Sequence, residues 1–414
     1  MDDNAIGING YSTKTPGIEG NIKYDPESFI VNEIPVDIPE NIHGKYTILK
    51  VRLRNWDTNK FLMHLSDQLH ISNKRITYAG TKDKIGITTQ YFCINMPDGR
   101  EINTIPIRDA DLISVLRSDK MIKLGDLVGN EFIIDIQSGI NNDENIKNTM
   151  DEIFKNKGFP NFYGYQRFGS IRSNTHKIGK LLVQNKYEDA VKLYIYDPEF
   201  DKEDYRIAFG QSGDAKMALK EFPEYLTFER SLLGYIVREN TYKNAFSVFP
   251  RNLSMLFIHA YQSYLFNRIL SERMKLTGNM DQILEGDFLY PVDKYFNPDR
   301  RQIIHATGYN VEKLNRLSSE NKIRAVIPLI GYDTELSSGK EGEIESSIMA
   351  EEGIEKKDFN LSSDRRMGSS GDYRVMSVLP VDFKIIGENK INFSLGKGVY
   401  ATSLLREIIK GSLN

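Results

Sequence analysis

The chain of 414 residues has one cysteine, Cys93, which excludes an intrachain disulfide or a thiolate zinc cluster and fits a reducing compartment. No apolar run approaches the roughly 18 residues of a membrane span, and the mean hydropathy is −0.43. The opening residues, MDDNAIGINGYSTKTPG, lack the basic start and apolar stretch of a secretory signal and read as a short, loosely ordered lead. No G-x-x-x-x-G-K-[ST] phosphate loop and no G-x-S-x-G nucleophile elbow occurs, and the six histidines show no metal-ligand spacing. His259, inside an apolar helix pattern, reads as a hydrogen-bonded core residue. Gly396 to Ala401, GKGVYA, has dinucleotide-loop spacing, but too little chain follows for the rest of a βαβ unit. Cys93 sits in an apolar strand pattern, a poor setting for a reactive thiolate.

What is present is a globular composition, 40% hydrophobic and 27% charged, at a length that favours two or three domains. The net charge of −3 speaks against a nucleic-acid partner, because a phosphate backbone attracts a basic surface. The charge is segregated, however. Residues 155–180 carry six Lys/Arg and no acid, whereas residues 333–364 carry ten acids against three lysines. The acidic run near Glu341 to Glu352 is most simply a solvated face.

Period-two alternation predicts strands at Phe29 to Glu33, Lys45 to Arg54, Arg75 to Ala79, Thr88 to Met96 and Glu131 to Ile136. Asp57 or Thr58 caps a helix carrying Phe61, Leu62, Leu65 and Leu69 on one face. Asn141 to Asn156 is a second helix. Residues from about 180 to 275 are helical in pattern, and Ser254 to Arg273 is the clearest helix. Residues 331–371, rich in Gly, Ser and Glu, suggest a long and partly mobile excursion. Strand patterns return at Tyr373 to Leu379 and Ile391 to Leu395, before a last helix from Thr402 to Lys410. An α/β signal at both ends around a helical middle suggests one domain inserted into another.

Two segments could carry chemistry. Tyr78 to Lys84, YAGTKDK, puts Asp83 between two lysines in a Gly-containing turn between strands. Nearby cations favour the ionised carboxylate that a nucleophile or general base needs, although a charged turn can also be plain solvated surface. Between Phe159 and Lys180, five aromatics (Phe159, Phe162, Tyr163, Tyr165, Phe168) interleave with cations and no acids. That mixture suits unpaired bases and phosphates, or equally a core with its cations turned outward.

Five segments in order resemble the TruD family of tRNA pseudouridine synthases. They are ESFIVNE (Glu27 to Glu33), YAGTKDKIGITTQ (Tyr78 to Gln90), FPNFYGYQRFGSIRSNTHKIG (Phe159 to Gly179), HAYQSYLFNRILSER (His259 to Arg273) and LGKGVYATSLLRE (Leu395 to Glu407). The long middle is similar to the larger archaeal and eukaryotic members. The resemblance implies an α+β fold: a pseudouridine-synthase-type catalytic domain, with a mixed sheet and flanking helices, interrupted by a largely helical α/β TRUD insertion domain. The expected division is 1–168 and 372–414 for the catalytic domain and 169–371 for the insertion, with a cleft for RNA between them.

The resemblance also implies a substrate, tRNA, at uridine 13, with Asp83 as the catalytic carboxylate and Phe29, Asn161 and Tyr400 around the target base. Phe162-Tyr163 stands where members often have Tyr-Phe, and Tyr400 where phenylalanine is common; both keep the ring and add a hydroxyl. No metal, nucleotide or other cofactor is expected, and the protein should act as a cytoplasmic monomer without a membrane partner. A non-catalytic RNA-binding protein on the same fold is the alternative. A carboxylate glycoside hydrolase would need a second facing acid that the Asp83 motif does not contain.

Overall fold

The computed structural model describes residues 2–82, 84–96, 101–169, 171–361 and 367–411, so Asp83 lies outside the described residues. The first part of the chain supplies strands β1 (Phe29–Pro35), β2 (Tyr46–Arg54), β3 (Ile76–Tyr78), β4 (Ile87–Asn95), β5 (Ala110–Ser118) and β6 (Leu127–Asp135), with helices α1 (Thr58–Gln68) and α2 (Asp143–Lys155). Asp57 caps α1 by accepting from the Asn59 and Lys60 backbone N–H groups, which turns the chain out of β2 into the helix. Phe61 and Leu65 of α1 then bury against Phe92 and Ile94 of β4.

The middle runs from β7 (Phe159–Pro160) through helices α3 (Thr175–Val183), α4 (Tyr187–Ile195), α5 (Asp204–Ser212), α6 (Ala215–Glu221), α7 (Thr227–Glu239) and α8 (Arg251–Leu276). It continues with β8 (Phe288–Pro291), β9 (Ile304–His305), α9 (Val311–Ser319), β10 (Ile323–Leu329), α10 (Gly339–Glu352) and β11 (Asp372–Val375). Strand β12 (Ser377–Val378), the hairpin β13 (Val381–Gly387) and β14 (Lys390–Gly396), and helix α11 (Ala401–Ile409) close the chain.

The main sheet has the order β13-β14-β6-β1-β4-β2-β5, with β3 also on β4. Its one parallel pair is β1 with β4. The last hairpin therefore docks onto a sheet built some 250 residues earlier, pairing Phe393 with Phe132 and Ile391 with Ile134. A four-stranded sheet, β11-β10-β8-β9, belongs to the middle. The chain leaves it at Met376: β11 pairs with β10, whereas β12 pairs with β7. Phe288, Tyr290, Val326 and Val375 of the small sheet share one apolar cluster with Phe29, Phe132 and Phe393 of the large one and Leu404 of α11. The α+β class with a mixed sheet and flanking helices is as expected. Among the described residues, no helix is long and apolar enough to cross a membrane.

Three expectations need correction. The N-terminal lead is tied down: Ile6 and Ile8 are buried, the Asn267 side chain donates to the Ile6 carbonyl, and buried Glu407 accepts from the Ser12 and Thr13 backbone. Two isoleucines among small polar residues suffice to anchor it. Residues 331–361 contain the 14-residue helix α10 rather than a loose excursion.

The acidic run on that helix is also not a solvated face, because Glu341, Glu345 and Glu352 are buried. Each has a partner deep in the fold. The Arg273 guanidinium donates to Asp287 at 2.8 and 2.7 Å and to Glu341 at 2.9 Å, and the Ser337 N–H donates to Glu345 at 2.8 Å. Glu352 accepts from Arg268 and Tyr261.

Burial pushes the Glu341 carboxyl up to about 7 against the pull of Arg273, and Glu345 up to about 8, with the Glu341 charge adding to the rise. Both groups hold protons in the fold that the unfolded chain releases near about pH 4.3. Their stabilisation is complete below that pH and is lost as pH rises through 7 to 8. The unfolding free energy in urea should therefore fall between about pH 5 and pH 8, by up to about 1.4 kcal/mol per pH unit for each retained proton. Glu345→Gln should flatten that slope. An unchanged slope in the variant would mean that the pair is ionised throughout.

Candidate active site

Strands β1 and β3 share one edge of β4 and run toward each other along it. β1 pairs in parallel with Ile87 to Thr89, and β3 pairs antiparallel with Phe92 to Ile94. Both must peel away near Gln90 and Tyr91, which opens a gap in the sheet. The turn after β3, beginning at Ala79, crosses that gap.

Three side chains fix this turn. Lys82 donates its backbone N–H to Thr58 Oγ1 and its ammonium to Glu33 Oε2 at 2.8 Å. Both side chains of that ion pair are buried, and Glu33 Oε1 has no further partner among the described residues. Lys82 is thus no solvated turn residue. Asn55 Oδ1 accepts from Gly86 N–H, and the Asn55 N–H donates to the Gly86 carbonyl. Gly86 has φ +127°, and a Cβ there would collide with the Phe29 carbonyl oxygen. Phe29 is therefore packed directly against the end of the turn. It is itself buried, edge-on to Phe132 at 6.3 Å and beneath the Lys23 ammonium at 4.3 Å.

Asn161 and Tyr400 meet at a residue that the sequence reading did not single out, Arg374. Its Nε donates to the Asn161 carbonyl at 3.0 Å and its Nη2 to Asn161 Oδ1 at 2.6 Å. Asn161 Nδ2 donates to the Val375 carbonyl. The guanidinium lies 4.1 Å from the Tyr163 ring and 5.9 Å from that of Tyr400. Tyr400 ends the turn after β14, at the N-cap of α11. Nothing in DYRVMSV marks Arg374 as special: an arginine on a half-buried strand has no motif, and only the pairing of β11 beside Asn161 reveals it.

A short relay joins the two places. The Ala79 carbonyl accepts from Gly125 N–H, Lys397 Nζ donates to the Gly125 carbonyl, and Gly398 lies beside Arg374 Nη1. The turn at Gly396 to Tyr400 thus joins the Asn161–Arg374 pair in one wall, reached from Ala79 through Gly125 and Lys397.

The aromatic-basic segment mostly feeds the core. Phe159, Phe162 and Phe168 are fully buried, and Tyr165 is tied by its hydroxyl to Asp3. Tyr163 carries two guanidinium groups on its ring, Arg374 and Arg167, and Phe162 carries one, Arg406. His259 is likewise not a core residue; it lines a groove with Arg167 and Gln262. Cys93 is buried as expected, and burial raises its thiol pKa.

The family model for tRNA pseudouridine synthase D (TruD) matches residues 5–408. The chain belongs to that family. It is 50% identical over 406 residues to a Picrophilus torridus protein named "Probable tRNA pseudouridine synthase D", covering 98% of this chain and 97% of the relative. A Thermoplasma volcanium protein of the same name is 47% identical, with 94% and 93% covered. A crystallised Methanosarcina mazei protein described as tRNA pseudouridine synthase D superposes with a TM-score of 0.84 at 36% identity, covering 99% of this chain and 98% of that one. Family membership accounts for the order of the five motifs.

The buried Lys82–Glu33 pair generates a prediction. Lys82→Met leaves Glu33 as an uncompensated buried charge and should cost about 3–5 kcal/mol of stability. Lys82→Met combined with Glu33→Leu should recover most of that loss in urea unfolding. A single variant as stable as the wild type would mean that water reaches Glu33.

Proposed function

We propose that this protein isomerises uridine to pseudouridine in tRNA, at position 13, with Asp83 as the catalytic carboxylate. The observation that carries the reading is the turn fixed in the sheet gap: its flanks are locked by Thr58, Glu33 and Asn55, beside Phe29 and across from the Asn161–Arg374–Tyr400 wall. Flanks held in this way suit a carboxylate that must meet one sugar carbon.

The target nucleotide is flipped from its stack, at about a few kcal/mol of unstacking cost. Tyr400 is partly buried, and its ring can offset part of this cost, at about 1–3 kcal/mol per stacked base. Phe29 is buried and acts as the floor of the pocket rather than as a stacking face. Asn161 is committed to Arg374 and Val375, so it shapes the wall.

Asp83 acts by one of two routes. It attacks C1′, giving an ester as the N1–C1′ bond breaks and uracil leaves with the electron pair; or it removes the C2′ proton to give a glycal. The uracil then turns and C5 bonds to C1′, displacing the Asp83 oxygen in the first route and, in the second, adding across the glycal as Asp83 returns the proton to C2′. In both, the C5 proton is lost while a proton returns to N1. The product is an isomer of the substrate, so no ATP or redox equivalent is consumed. Residues 1–168 and 372–414 form the catalytic domain around the insertion 169–371, and the protein acts as a cytoplasmic monomer.

The test is tritium release from 5-tritiated uridine in tRNA. Wild type should release it, and Asp83→Asn should fall by at least about 1000-fold. Pseudouridine at position 13 should vanish from tRNA of a strain lacking the protein. RNA binding without release by the wild type would favour the non-catalytic alternative.

A further inference from the structure

Two guanidinium groups flank the Tyr163 ring: Arg374 at 4.1 Å and Arg167 at 5.6 Å. Arg374 spends Nε and Nη2 on Asn161, which leaves Nη1 beside Gly398. Gly398 has φ +75°, and a Cβ there would sit 3.9 Å from Nη1, so glycine keeps the space before that edge open. Arg167 spends Nε on Ser263 Oγ at 3.0 Å, which leaves its Nη groups.

Among the described residues neither guanidinium has a carboxylate partner. Two half-buried cations on one ring and no acid between them form an arrangement that an anion completes. The surroundings extend this. A groove of about 1010 Å³ runs from Arg167 past His259 and Gln262 to Ser369, Ser370 and Asp372. Asp372 is two residues before Arg374 on the same strand, hence on the same face, so the groove leads to the Arg374 wall. Its carboxylate is already held by Arg300, so it does not cancel the Arg167 charge.

We propose that Arg374 and Arg167 form a binding site for backbone phosphates of the RNA strand next to the target nucleotide, and that the groove carries the strand away from the pocket. Asn161 is then a positioning residue, holding the Arg374 plane so that its Nη1 edge faces the strand. The inference rests on the proposed tRNA reaction but assigns a different part of the RNA to different residues.

The experiment measures tRNA binding against salt, together with tritium release, for wild type, Arg167→Gln, Arg374→Gln, Arg374→Lys and Ser370→Glu. Each Gln variant should bind about tenfold more weakly, and the slope of log affinity on log salt should shrink by about one. Arg374→Lys keeps the charge but loses the forked bond to Asn161, so it should keep the slope and still bind more weakly. Ser370→Glu, an exposed change, should weaken binding by placing a carboxylate in the groove. Weakened binding in Arg167→Gln and Ser370→Glu would support the site even if Arg374→Gln fails to fold. An active wild type together with unchanged affinity and slope in Arg167→Gln and Ser370→Glu would overturn it. A wild type that binds RNA but releases no tritium would sink the catalytic reading alone.

Discussion

Three consecutive residues, Asn161 to Tyr163, hold the molecule together because each is claimed by a different part of the chain. Asn161 is gripped by Arg374, the Val375 carbonyl and the Met376 carbonyl at the exit from the small sheet. The Phe162 carbonyl accepts from Ser403 on the last helix. The Tyr163 N–H and carbonyl are both bonded by the buried Asn267 side chain on α8. α8 spans about 39 Å at 1.5 Å per residue. It therefore transmits the position of this joint through the helical middle, and the same Asn267 also holds the N-terminal segment at Ile6. The joint is built from side-chain amides and hydroxyls acting on backbone groups, which have fixed directions. Such bonds specify geometry as well as contributing about 1 kcal/mol each.

The charges obey the same economy. A net charge of −3 looks unfavourable for a protein that meets RNA, yet much of the acid is consumed inside. Glu341, Asp287 and Arg273 form one buried network, Glu352 is held by Arg268 and Lys180, and Glu33 takes Lys82. A buried charge needs a partner, and each of these is closed internally. Arg374 and Arg167 are spent on neutral oxygens instead, so their positive charge is preserved beside the Tyr163 ring. Electrostatic character at a site depends on which cations lack acids nearby, and the total charge of the chain says little about it.

The surroundings of the YAGTKDK turn are made by residues that are far apart in sequence. Phe29 lies under the turn, Gly86 lets the backbone approach it, and Gly398 leaves the Arg374 edge uncovered. Of the aromatics of residues 159–168, Phe159 joins the cluster shared by the two sheets, Phe162 and Phe168 pack into the helical core, and Tyr163 serves as a platform for two arginines.

Local chemistry was enough to read the strands at Phe29, Lys45 and Thr88, the Asp57 cap and the long helix, because period and capping are properties of neighbouring residues. The ordered motifs placed the chain in its family and named Phe29, Asn161 and Tyr400 as neighbours of one site. What the sequence could not say was who pairs with whom across hundreds of residues. Ile6 and Ile8 become core only because α8 and Glu407 lie beneath the lead. The acids of α10 are buried only because Arg273 waits opposite them, and Arg374 matters only because β11 docks beside Asn161. Burial and pairing are set by where distant segments meet, and that meeting is decided by the tertiary structure.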